Sequence, residues 1–225
     1  KRASLIAGGA DKTESVEARE VRWFTQGLNG IMVLAVDESY GSDGIVARNG
    51  ITSVKDFKNK KVAVQPGFVN HFFLLYLLQT ESLTQDDIII FPMDPDKAAN
   101  ALISGDVDVA VTWEPHLSII KNKEGYNLIL TTREEIAQHL IVDNLVVRDD
   151  VLRKRRKDVE NFLIAWFEAV NYMNTNKAET NEILAKVFEL NPNEVEEMLR
   201  GVKFISLNDN INFFNKEKEF SLYSV

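Results

Sequence analysis

Gly105-Asp106-Val107-Asp108-Val109-Ala110-Val111-Thr112-Trp113-Glu114-Pro115 is the stretch whose reading decides the fold. Its glycine is a helix stop, its valine-rich run has strand composition, and Glu114 opens a helix reaching to about residue 122. Upstream, Asp94 is a favoured N-cap and Pro95 suits a first helical position, so a helix spans 94–104 and ends on Gly105. Before it, Ile88-Ile89-Ile90 reads as a strand. Val62-Ala63-Val64 reads as another, halted by Pro66-Gly67, and 70–78 is apolar nearly all round, as in a helix packed on several sides. The run 31–36 is a further buried strand. Strands alternating with helices predict β–α units around a mostly parallel sheet.

Beyond about Asp149 the pattern changes to long helices with no strand between them. Val159, Phe162, Leu163, Trp166, Phe167, Val170 and Met173 fall on one helical stripe. Ile183, Leu184, Val187 and Phe188 repeat it, as do Val195, Met198, Leu199 and Val202. Such faces need a surface to cover, and the sheet of the first part of the chain, regained through 141–147, is the expected one.

Composition narrows the function. The 225 residues are 45% hydrophobic and 27% charged, which supports a substantial core. A net charge of −8 speaks against a nucleic-acid groove, and the basic run 153–157 precedes acidic residues, as on a solvated helix face. With no cysteine there is no disulfide, thiolate metal site or cysteine nucleophile. His71, His116 and His139 are isolated, so no catalytic residue is expected. Asn208-Asp209-Asn210-Ile211-Asn212 with Glu219 has a calcium-loop spacing, but Phe213 stands where that loop needs glycine, so no metal is expected. No apolar run approaches the ~20 residues of a membrane span.

Three segments suit a ligand. Residues 37–44, Asp-Glu-Ser-Tyr-Gly-Ser-Asp-Gly, form a hydroxyl- and glycine-rich loop at the carboxyl end of a strand, where open α/β sheets place ligands. Gln65-Pro66-Gly67-Phe68-Val69-Asn70-His71 leads a strand into a helix whose first N–H groups are unpaired, an arrangement suited to anions. Thr112-Trp113-Glu114-Pro115 offers an aromatic wall and a carboxylate at a third strand end.

These segments, in this order, resemble the substrate-binding proteins of ABC importers for nitrate, sulfonates, taurine and thiamine precursors. The stretches that carry the resemblance are 39–47, 51–67 and 105–115, with the helix around Phe162-Leu163-Ile164-Ala165-Trp166-Phe167, and it extends over about 10–202. It implies an α/β fold, a two-lobed clamshell of the type II periplasmic-binding-protein kind with two crossover segments. Lobe one would be 1–47 and 147–225, and lobe two 48–146. It implies no enzyme and no cofactor. A small anionic organic ligand, sulfonate-, taurine- or pyrimidine-like, would sit between the lobes and pass to the membrane permease of an ABC importer. The chain is then expected to be a monomer and periplasmic, or extracellular and anchored as a lipoprotein.

The implied ligand contacts are Ser15, Ser39, Tyr40, Gly67, Phe68, Asn70, His71, Trp113, Glu114, Asp143 and Asn144. Ser15 would stand at a helix start, and Asp143 and Asn144 would also lie on the return crossover and hinge. Phe68 and Asn70 stand where the family usually has hydroxyl residues, which favours a larger or partly aromatic ligand. The family's first strand and helix and its last helix are expected to be absent, and a start at Lys1 suits a chain whose leader was removed. Two alternatives stay open: a ligand-sensing domain of a signalling protein, and the pyrimidine-forming enzymes of thiamine synthesis, whose cysteine-rich motif is missing.

Overall fold

The computed structural model of the chain describes residues 12–16 and 29–217. The chain divides into two compact units, Lys1–Glu38 with Val142–Val225, and Ser39–Ile141.

In the second unit, strands β3 (Asp43–Arg48), β4 (Lys61–Val64), β5 (Ile89–Pro92), β6 (Val109–Trp113) and β7 (Tyr126–Thr131) form one sheet in the order β5-β4-β6-β3-β7. Helices α1 (Val69–Thr80), α2 (Pro95–Ser104) and α3 (His116–Lys121) connect them. The β–α alternation is present, but the sheet is mixed. β4 runs parallel to β5 and β6, whereas β3 is antiparallel to both β6 and β7. Val46, Ala63 and Ala110 of the sheet pack against Ala98, Ala99 and Leu102 of α2 and Leu117 and Ile120 of α3. Small alanines here let helix and sheet approach closely. Gly105, at φ 95°, ends α2 in the left-handed conformation that glycine adopts without a Cβ clash.

The first unit carries β1 (Lys12–Val16), β2 (Gly30–Ser39), β8 (Val142–Arg148) and β9 (Val202–Phe204), in the order β1-β8-β2-β9. Its helices are α4 (Asp149–Lys154), α5 (Arg156–Thr175), α6 (Lys177–Phe188), α7 (Pro192–Leu199) and α8 (Leu207–Phe213). The predicted stripe on α5 covers this sheet: Val159, Phe162, Leu163, Trp166 and Phe167 pack on Leu34, Val36, Leu145 and Val147. The helical stretch is not free of strands, because the chain leaves α7 at Leu199 and Val202 begins β9. The basic run does not open a single helix: it closes α4 and starts α5, as a solvated face with Arg153 paired to Asp149, Arg155 to Asp158 and Arg156 to Glu160.

The unit boundaries lie at Glu38/Ser39 and Ile141/Val142, against the expected 47/48 and 146/147. Backbone pairing explains the difference. Asp43–Arg48 belongs wholly to the second sheet, whereas Val142–Arg148 pairs with β1 and β2 of the first. Among the described residues, no helix is long and apolar enough to cross a membrane, and no three His, Cys, Asp or Glu cluster as metal ligands. Asn208–Asn212 lies within α8, which Ser206 caps by accepting from the Asp209 N–H, and Glu219 lies outside the described residues.

Candidate functional site

Strand direction gathers the three ligand segments at one edge of the second unit's sheet. Because β4 and β6 are parallel and β3 is antiparallel to β6, the ends of β4 and β6 meet the start of β3, where Asp43 faces Trp113. The end of β7 joins them, with Thr131 opposite Gly44. The turn at 40–42, the entry to α1, the Trp113-Glu114 corner and Thr131–Arg133 therefore share one rim. The expected loop 37–44 is shorter than predicted. Asp37, Glu38 and Ser39 extend β2, and Asp43 already begins β3.

The start of α1 is the part of that rim best suited to bind. Gly67, at φ 76°, turns the chain out of β4. Its N–H donates to His71 Nδ1 at 3.2 Å, and His71 Nε2 lies 3.0 Å from Gln85 Oε1. With Nδ1 accepting, Nε2 carries the proton and donates. The N–H groups of His71 and Phe72 both donate to the Phe68 carbonyl. Those of Val69 and Asn70 find no acceptor among the described residues, as expected of a first helical turn. They point with the positive end of the helix dipole. Asn70 is only 1% exposed, and neither atom of its side-chain amide has a hydrogen-bond partner among the described residues. Phe68 and Phe72, one turn apart, are each 37% exposed.

Other expected contacts turn out to be occupied by the protein itself. Ser39 donates to Asp43 Oδ2 at 2.7 Å, so the 2.8 Å bond joining it to Thr132 takes the Thr132 proton. Thr132 accepts in turn from the Gly41 N–H at 2.8 Å. Glu114 accepts from the Ser118 N–H and hydroxyl and from Lys121 Nζ at 2.8 Å, which caps and pins α3. Ser39 donates its proton within the protein, and Glu114 already accepts three hydrogen bonds from α3. Tyr40 lies beneath Arg133, whose guanidinium carbon is 4.9 Å from the ring centroid and whose Nη2 donates to the Tyr40 carbonyl. Trp113 is half-buried at the end of β6, and its indole N–H makes no hydrogen bond among the described residues.

Sequence reasoning missed Arg133, Thr132 and Asp94. The last accepts from Gln65 Nε2 at 2.8 Å and ties the start of α2 to the exit of β4. Thr131-Thr132-Arg133 after a strand end was a usable signal for the first two. Asp94 was read only as a helix cap, and its side chain makes no such bond.

The remaining predicted residues lie in the first unit. Ser15 stands in strand β1 rather than at a helix start, paired with Asn144, while Val16 pairs with Asp143. Asn144 is fully buried. Its Nδ2 donates to the Val142 carbonyl and its Oδ1 has no partner among the described residues.

The sequence profile described as the NMT1-like family matches residues 24–189. A Bacillus subtilis relative named for binding aliphatic sulfonates is 26% identical over 201 residues, 88% of this chain and 55% of its own length. The taurine-binding periplasmic protein of Escherichia coli is 28% identical over 123 residues, 54% of this chain and 38% of its own. The chain thus spans about half the length, 55%, of the first curated relatives it matches. Among solved structures, the periplasmic aliphatic sulphonate binding protein SsuA of Escherichia coli aligns with a TM-score of 0.75 at 20% identity, covering 92% of this chain and 72% of that one. A desulfurization enzyme shares the fold at a TM-score of 0.61 and 16% identity, over 84% of this chain and 69% of its own. The fold is therefore that of periplasmic binding proteins, and it also hosts enzymes.

Proposed function

Because this chain belongs to the NMT1-like family, we propose that it captures a small organic solute outside the cytoplasm and hands it to the membrane permease of an ABC importer, without chemical change to the solute. The observation that carries this reading is the N–H pair of Val69 and Asn70, without an acceptor among the described residues, opening α1 at a rim shared with Trp113. Two aligned amide donors at a helix start bind acidic oxygen without a counter-charge. The relatives named for taurine and aliphatic sulfonates support a solute carrying a sulfonate or similar acidic group. Trp113 then supplies an apolar wall, and Asn70 a directional contact. Ser39, Thr132 and Glu114 hold the rim in shape instead of touching solute. The exposed faces of Phe68 and Phe72 favour a second variant of this reading, in which the solute has an aromatic or pyrimidine-like body.

A thermal-shift screen against taurine, alkanesulfonates, aromatic sulfonates, nitrate and pyrimidines tests the proposal. A true solute at 100 times its dissociation constant stabilises the fold by about 2.7 kcal/mol. A panel in which no compound moves the transition contradicts it.

A further inference from the structure

Asn70 lies on the buried stripe of α1 with Phe73, Leu74, Leu77 and Leu78, where packing alone calls for an apolar side chain. Instead the position holds an amide with one acceptor oxygen and a two-proton donor nitrogen, and both are buried without a partner among the described residues. Native proteins seldom leave such groups unmatched, because each gives up its water without replacement. The orphaned amide sits in the opening turn of α1, on the same residue as one of the backbone N–H groups that find no acceptor among the described residues.

An acceptor-only ligand resolves half of this. A sulfonate or carboxylate oxygen satisfies Nδ2 and the backbone N–H groups, yet sets negative charge against the lone pairs of Oδ1. Matching both atoms takes a donor beside an acceptor on one planar edge, the pairing by which Asn reads a base edge in DNA. Resting on the solute-binding reading above, we infer that the solute carries such an edge, as a carboxamide, lactam or amidine does, and docks it on Asn70. The bond forms out of contact with bulk water, where losing one partner discriminates sharply between ligands.

Four probes and two variants test this: nicotinamide, N,N-dimethylnicotinamide, ethanesulfonate and taurine, titrated calorimetrically into the wild-type chain, Asn70→Leu and Asn70→Asp. Nicotinamide should bind the wild type roughly tenfold or more tighter than its dimethyl counterpart, which lacks the N–H. Asn70→Leu should lose that preference, whereas Asn70→Asp, which keeps an acceptor for the N–H but sets a charge against the ligand carbonyl, should bind both amides more weakly. Asn70→Leu, relieved of the orphaned amide, should melt about 2–4 °C higher than the wild type without ligand. Equal affinity for the two amides overturns the inference, as does a lower melting point for Asn70→Leu, which marks an amide held by structural water. Binding of ethanesulfonate or taurine with no amide preference overturns it and leaves the solute-binding reading intact. If none of the four probes binds, the inference is overturned, and the solute-binding reading stands or falls on the thermal-shift panel.

Discussion

Thr132 is fully buried and relays one chain of hydrogen bonds, from the Gly41 N–H through its own hydroxyl to Ser39 and on to the Asp43 carboxylate. Thr132→Val keeps the shape and removes the hydroxyl, which leaves Ser39 with only the Asp43 N–H as donor and the Gly41 N–H short of an acceptor. Urea denaturation should show a loss of about 1–3 kcal/mol, the usual cost of a buried polar group left unmatched. Trp113 is the contrasting case. Nothing among the described residues binds its indole N–H, so Trp113→Ala should weaken solute binding about tenfold or more while the far-ultraviolet spectrum stays unchanged. Unaltered affinity removes it from the site. Residue type made Ser39, Glu114 and Trp113 legible as polar or aromatic groups at strand ends. It could not reveal that Ser118 and Lys121 already occupy Glu114, or that Asp43 and Thr132 occupy Ser39, since those partners are set by register and helix turn.

Short elements show the same division between what local sequence fixes and what packing adds. In the single-turn 3-10 helix Val54–Phe57, Ser53 and Asp56 form a capping box in which Asp56 Oδ2 accepts from the Thr52 and Ser53 N–H groups. The Thr52 N–H first, and the Ser53 N–H next, hold the Asp56 carboxyl below its usual 3.8. Asp87 is lowered in the same way by the Thr84 N–H and hydroxyl. A depressed carboxylate contributes stability above its ordinary pKa and loses it as pH falls through the folded value. Asp56→Asn should therefore be less stable than the wild type near neutral pH, with the gap closing as urea midpoints are taken at pH values below 3.8. A gap that persists in acid contradicts the account.

Asn210 of α8 is the tertiary counterpart. Its amide accepts from the Ala35 N–H at 2.8 Å and donates to the Ala35 carbonyl at 2.9 Å, extending the ladder of β2 with a side chain. Asn210→Ala should cost about 1–3 kcal/mol for each buried backbone group it strands, measured by equilibrium unfolding. No local pattern announces this pair, whose members stand 175 residues apart.

For the whole molecule, periodicity made the α/β class, the α5 stripe and the Pro95–Gly105 helix readable, because each depends on spacing within one element. Strand direction was not readable. β3 and β7 turned an expected mostly parallel sheet into an evenly mixed one, and the expected 47/48 boundary fell inside β3 because strand pairing joins residues far apart in sequence. The rim at the end of β4 and β6 was legible in outline from three turn-rich segments. Its best candidate contact, the orphaned Asn70 amide, emerged only once burial was known.

Amide hydrogen exchange on the chain with and without the tightest compound from the solute screen probes this account most directly. The Val69 and Asn70 amides should exchange freely without solute and slow by at least about tenfold when it is bound. Unchanged exchange at both, with protection confined to some other part of the chain, would contradict the placement of the solute at the start of α1.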